Sequence, residues 1–201
     1  MPMINNPVTL SEAALELINA KKRSADFSHA SWGDDDLQPV RREIREHYRN
    51  VQRLICAYCQ GPVSNRSAAG SPIEHILPKS QYLNFMFEPK NLCVVCSDCN
   101  EYKSNYETMV DPVLRAPRVN YPENSQLFRI VHPHLDNYDE HIGRFERLYV
   151  DLSAKGGYTI YACNLNRFFR RFGRCDELVN DVSLVQQSER FYEEGIINLQ
   201  Q

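Results

Sequence analysis

At 201 residues, with 42% hydrophobic and 24% charged side chains, the chain has the usage of an ordinary folded protein, which excludes wholesale disorder. A net charge of −3 argues against a protein that coats nucleic acid by bulk electrostatics, while leaving room for a local basic cleft. Seven cysteines are too few for a secreted disulfide scaffold of this length, the N-terminus lacks a basic region followed by an apolar stretch, and no run approaches the roughly 20 apolar residues of a membrane span; a cytoplasmic protein without membrane association is expected.

Apolar periodicity predicts an amphipathic helix over Leu10 to Ala20, with Leu10, Ala13, Ala14, Leu17 and Ile18 on one side and Ser11, Glu12 and Glu16 opposite. Ser24 to Asp36 is polar, holds the single tryptophan, Trp32, and ends in Asp34-Asp35-Asp36, acids that favour the start of a following helix. Pro39 suits a first helical turn, and the helix is expected to run to about Ile55 with Val40, Ile44, Tyr48, Val51 and Ile55 buried. Arg41, Arg45, Arg49 and Arg53 recur every fourth residue on an adjoining face. They either grip nucleic-acid phosphates or form a solvated face partly neutralised by Glu43 and Glu46.

Cys56-Ala-Tyr-Cys59 follows directly, and Cys96-Ser-Asp-Cys99 comes later. Each Cys-x-x-C turn places two thiolates on one side of a metal ion, and two pairs complete a closed tetrahedral zinc site of the structural kind. Cys93 also forms a Cys-x-x-C with Cys96, so its exchange for Cys99 stays open. The pattern of Asn91 to Val95, with Leu92, Val94 and Val95 around Cys93, favours a short buried strand in which Cys93 is a core residue. Gly61 to Gly70 reads as a loop, Ser71 to Leu77 as a strand closed by Pro78, and Gln81 to Lys90 as an apolar loop packed over the core. Ser97 is the expected N-cap of a helix through Cys99, Asn100 and Lys103. Alternation along the first strand puts Ile73 and His75 on one face and Glu74 and Ile76 on the other.

Zinc cysteines bracketing Glu74-His75 and Asn91, with Asn100 directly after Cys99, resemble the HNH endonucleases, over roughly Cys56 to Tyr106. The family's ββα-metal site has an acidic residue and a histidine on the first strand, Asn before the second, and His or Asn on the helix after a zinc cysteine. The resemblance is therefore to the H-N-N variant, and even the step from Asn91 to Asn100 is similar to that in the HNH domain of RNA-guided CRISPR effectors. It implies hydrolysis of DNA phosphodiesters, with His75 as general base and a single Mg²⁺ or Mn²⁺ on Glu74 and Asn100. Asn91 would pin the loop or orient the imidazole, and Lys103 would contact phosphate. Many members have Asp where this chain has Glu74, a side chain longer by one methylene.

After Tyr106, Asp111-Pro112, Ala116-Pro117, Tyr121-Pro122 and His132-Pro133 predict an extended wrapping segment. His132 and His134 are read as loop residues rather than a second metal site, and His29, His47 and His141 as structural. Phe145 to Val150 and Gly157 to Ala162, joined around Lys155-Gly156-Gly157, predict a β-hairpin. Asn164 to about Tyr192 is expected to be helical, broken near Gly173, with Arg167, Arg170, Arg171 and Arg174 as a second basic patch. The wider layout is similar to small HNH proteins of bacterial anti-phage systems, the Septu and retron-associated nucleases, which implies a defence ATPase or other protein as partner.

The expected fold is α+β, a zinc-stapled ββα-metal core at 37–108 between an N-terminal helical segment at 1–36 and a C-terminal extension at 109–201. These segments hold 3, 9 and 11 Lys/Arg against 6, 7 and 13 Asp/Glu, for net charges of −3, +2 and −2, so the positive share falls on the core. One such site cuts one strand, so breaking a duplex implies two copies or two visits, and a homodimer or partner-bound assembly is an expected arrangement. The competing reading is a catalytically silent zinc module that binds nucleic acid or a partner protein; RNA cleavage is a further alternative.

Overall fold

A computed structural model of the chain describes residues 3–111, 120–145 and 148–173. Helix α1, Glu12–Lys22, begins where the Ser11 side chain accepts a hydrogen bond from the Ala14 amide, and it has Glu12 in its first turn and Lys21 and Lys22 in its last, each favourable to the helix dipole. Its buried residues, Ala14 and Ile18, are one turn apart and face helix α2, Gln38–Val51. Ser11 fixes the crossing, because its amide and hydroxyl both donate to the Glu43 carboxylate, at 2.7 and 2.8 Å. The intervening aspartates are held by α1: Lys21 pairs with Asp34 at 2.9 Å and with Asp36 at 2.7 Å.

Val40, Ile44 and Tyr48 form the buried stripe of α2, as their spacing predicts. The helix stops at Val51, four residues short of the expected end. Arg53 and Leu54 take left-handed φ values of 53° and 60°, and the Leu54 amide turns back to the Arg49 carbonyl at 2.9 Å. That reversal lets Ile55 bridge to Pro62 and delivers Cys56 to the interior. Gln52 fastens the turn to the next layer: its side-chain amide donates to the Ile55 and Val94 carbonyls at 2.8 and 2.7 Å, and its oxygen accepts from the Val94 amide at 2.7 Å.

Strands β1, Ile73–His75, and β2, Leu92–Val94, pair antiparallel with Glu74 opposite Cys93 and His75 opposite Leu92; all six residues are buried. Helix α3, Ser97–Lys103, follows at once. Both strands are shorter than predicted. Beyond His75 the Leu77 amide is taken by the Asn91 side chain instead of a strand partner. As expected, the loop between them packs inward through Tyr82, Phe85, Met86 and Phe87.

The C-terminal part corrects one expectation. The hairpin is β3, Ile142–Phe145, with β4, Leu148–Asp151, and the segment with two adjacent glycines is helix α4, Ala154–Ala162, capped by Ser153 accepting from the Gly156 amide. Gly156 is there for closeness rather than for a turn, because a Cβ on it would lie 1.8 Å from the His141 carbonyl oxygen, whereas one on Gly157 would meet Asp151 only at 3.6 Å. Helix α5, Arg167–Phe172, ends at Gly173 with φ of 83°; the remainder of the long helix expected there lies outside the described residues. The larger of two hydrophobic clusters among the described residues joins all three segments, through Ile4, Ile18, Ile44, Val94, Phe128, Ile160 and Leu165 among others. No helix among the described residues is long and apolar enough to cross a membrane.

The two glycines of α4 give opposite expectations. Gly156→Ala should destabilise by about 1–3 kcal/mol through overpacking, while Gly157→Ala should stabilise by about 0.5–1 kcal/mol through helix propensity. Urea unfolding of the two variants checks this, and equal midpoints would refute the tight contact of α4 on the start of β3.

Candidate active site and metal centre

Cys56, Cys59, Cys96 and Cys99 bring their sulfurs within 4.8 Å of one another, with Cys59 and Cys96 at 3.7 Å. A tetrahedron of thiolates at about 2.3 Å from zinc has edges of about 3.8 Å, so the cluster fits a metal such as zinc. The first pair sits in a tight turn closed by Cys56 N–H to the Gly61 carbonyl at 2.8 Å and Gln60 N–H to the Cys56 carbonyl at 3.1 Å, with Gln60 at φ 54°. The second pair opens α3. Here the N-cap is Cys96 itself, whose sulfur accepts from the Cys99 amide at 3.4 Å, one residue before the expected Ser97. Cys93 lies on β2 opposite Glu74, apart from the four-sulfur cluster.

Arg167 was expected in a surface basic patch, yet it points at this cluster. Its Nη2 and Nη1 lie 3.8 and 3.9 Å from the Cys96 and Cys99 sulfurs, and its Nε donates to Asp98 at 3.0 Å. Four thiolates around a divalent ion leave two negative charges, and outer partners of this kind stabilise such a centre. The sequence carries no signal for it, since α5 meets α3 only in the folded chain.

Glu74, His75 and Asn100 converge on one cleft of about 520 Å³, shared with Trp32, Arg45 and Lys79. Glu74 and His75 both line it, although alternation sends neighbouring side chains to opposite faces. Glu74 is 5% exposed and ion-paired with Lys103, whose ammonium also donates to the His75 carbonyl at 2.8 Å. Burial pushes the Glu74 carboxyl above its usual range, against the pull of Lys103. Lys103 is 0% exposed, so its charge is spent inside the protein and the expected phosphate contact does not match its position.

His75 is 6% exposed. Its Nε2 lies 3.0 Å from the Met86 carbonyl; a carbonyl only accepts, so the ring carries its proton on Nε2 and presents a bare Nδ1. Trp32 meets the imidazole edge-to-face at 4.5 Å between ring centroids, a contact with no signature in the sequence. Burial first, and the Lys79 charge second, push the His75 pKa down to about 3, so the ring is neutral near pH 7. Asn91 holds the loop that carries Met86. Its Oδ1 accepts from the Leu77 amide at 2.7 Å, and its Nδ2 donates to the Leu77 and Phe85 carbonyls at 3.1 and 3.0 Å. Asn100, half-buried on α3, makes no side-chain hydrogen bond among the described residues.

The four arginines expected in a row along this helix do not form one free basic face. Arg41 donates to the Asp34 carbonyl at 2.8 Å. Arg49 is buried on Ser71, Glu46 and Ser67. Arg53 lies beyond the helix in the left-handed turn, and only Arg45 reaches the cleft. His132 and His134 spend ring nitrogens on the Tyr121 hydroxyl and the Leu92 carbonyl, each at 2.8 Å, in keeping with a structural loop.

No family model matches the chain. It is similar to the Septu protein PtuB of Bacillus thuringiensis, 27% identical over 115 residues, which is 57% of this chain and 38% of that protein. It is also similar to an Escherichia coli protein named as the candidate HNH endonuclease of retron Ec83, 26% identical over 110 residues, covering 45% of this chain and 43% of that one. The alignments thus span less than half the length of either relative. This weak homology supports the HNH relationship that the motif implies.

A metal held by this cluster would be tied to folding, because closed thiolate sites contribute their binding energy to stability. Removing the metal with a strong chelator should lower the melting temperature and expose four thiols to a thiol reagent, and Arg167→Ala should release metal faster than wild type at equal chelator. Unchanged melting and thiol reactivity after chelation would rule out a metal on these cysteines.

Proposed function

We propose that the chain is a metal-dependent endonuclease of the HNH kind that hydrolyses DNA phosphodiester bonds in anti-phage defence, within a ββα-metal core at 37–108. The observation that carries this reading is the convergence of Glu74, His75 and Asn100 on one cleft with Nδ1 of His75 left as an acceptor. The similarity to the Septu and retron proteins supports it and extends it to a protein partner.

In this reading Nδ1 of His75 removes a proton from water, and the resulting hydroxide attacks phosphorus as the P–O3′ bond breaks; the departing O3′ takes a proton from solvent, leaving 5′-phosphate and 3′-hydroxyl ends. A positioned base of this kind contributes about 10²–10⁴-fold. The Met86 carbonyl keeps the opposite nitrogen protonated, Trp32 restrains the ring, and Asn91 holds the loop on which Met86 sits. Glu74 and Asn100 supply hard oxygen donors that fit one Mg²⁺ or Mn²⁺ with water completing its shell. When bound, that ion supplies charge stabilisation for the phosphate and the departing oxygen. Glu74 then serves two cations, the ion and Lys103. Because one site cuts one strand, duplex breaks require a second copy or a second visit.

A silent zinc module is the competing reading, favoured by the low exposure of His75 and the engagement of Glu74 with Lys103. Supercoiled plasmid separates the two. With Mg²⁺ or Mn²⁺ the wild type should nick it, EDTA should abolish nicking, and His75→Ala should slow it about 10²–10⁴-fold; intact plasmid across ions and DNA or RNA substrates supports the module. The depressed His75 pKa adds a second expectation. Protonation of the base sets in only well below pH 6.5, so the acid limb of kcat/KM should lie below that value, and the rate should not fall between pH 8 and 6 through loss of this base. A limb centred near 6.5 would contradict a buried, Lys79-facing base.

A further inference from the structure

The cations around the cleft separate sharply by what already occupies them. Lys103 is buried on Glu74, Arg49 on Ser71 and Glu46, and Arg41 on backbone carbonyls. Two cleft-lining cations keep free donors among the described residues. Arg45 uses Nε on the Ser71 carbonyl at 3.2 Å and leaves its terminal nitrogens open. Lys79 makes no hydrogen bond or ion pair, though it lines the same wall as His75 and Glu74.

Lys79 is also well placed. Its backbone lies in the turn that ends β1, where the Pro78 carbonyl accepts from the amides of both Gln81 and Tyr82 at 2.9 Å. The root of the side chain is therefore fixed relative to His75, four residues earlier, and its charge is felt at both His75 and Glu74. The cleft carboxylates do not consume it: Glu74 belongs to Lys103, and Glu101 forms no ion pair with it. A compact ammonium with three donors and no partner, beside a base with a bare nitrogen, suits the non-bridging oxygens of a phosphodiester.

We infer that Lys79 holds the phosphate presented to His75, with Arg45 on the neighbouring phosphate of the same strand, in the place that sequence resemblance assigns to Lys103. This rests on the nuclease reading of the cleft, which it deepens by naming how the DNA backbone is gripped.

The test measures binding apart from cleavage. A fluorescein-labelled DNA duplex is titrated with the full chain in Ca²⁺, by anisotropy, across a series of salt concentrations. Lys79→Gln should weaken binding about 10-fold and reduce the slope of log affinity on log salt by about 0.9, the signature of one lost phosphate contact. Lys79→Arg should restore both, and the melting temperature should stay at the wild-type value. Lys90→Gln, which removes a lysine paired with Glu123 outside this cleft, should leave binding unchanged. Wild-type affinity and slope in Lys79→Gln would overturn the assignment while leaving nicking by His75 intact. A Lys79-dependent slope in a protein that never nicks would instead sink the nuclease reading and keep the phosphate grip. A wild type that binds no DNA removes both.

Discussion

Four sulfurs within 4.8 Å are the constraint on which the rest of the molecule depends. They bring the turn after α2 to the first turn of α3, across 37 residues from Cys59 to Cys96; Glu74, His75 and Lys79 lie between these ends and Asn100 directly follows the second, while Arg45 reaches the same cleft from α2. A metal held by these side chains would close a long loop and so remove more freedom from the unfolded chain than from the folded one. The gain would be spent on short elements, two strands of three residues and a helix of seven, too small to persist without such a clamp. Arg167 brings a further helix to the same centre, so the C-terminal part reports on the cluster as directly as the two cysteine turns do.

Around this centre the candidate site combines deep burial with chemistry that ordinarily needs water. Glu74 and His75 are almost wholly covered, and both pay in proton affinity, the acid becoming harder to ionise and the base harder to protonate. The hydrogen bond of the imidazole among the described residues goes to an acceptor, the Met86 carbonyl, and fixes the tautomer with Nδ1 bare. Burial does not strand the carboxylate, because Lys103 lies against it; an unpaired charge at that depth would be far costlier than the pair.

Much of this was legible in the residues. Paired cysteines, the Glu74-His75 dipeptide and the positions of Asn91 and Asn100 located the cluster, both strands and the cleft, since metal-ligand spacing and strand patterning are local properties. What escaped was tertiary. Lys103 shares a helix face with Asn100, and nothing in that spacing says that the longer side chain turns inward. The arginine row looked uniform along α2, but the helix ends early and Ser71 captures Arg49. Gly156 and Gly157 read as a turn because glycine usually marks one; here Gly156 admits a backbone carbonyl where a methyl group would collide. Trp32 and Arg167 reach the site from distant segments with no motif to announce them.

The surroundings of Asn91 call for an amide rather than an acid. Its carboxamide accepts from one amide and donates to two carbonyls, so the loop is matched to a side chain that is donor at one end and acceptor at the other. Deamidation, which exchanges the donor for a second acceptor and adds a charge, would set an anion against both carbonyls. The exchange of one buried amide for an acid would thus loosen the segment that fixes the imidazole tautomer without touching the imidazole itself.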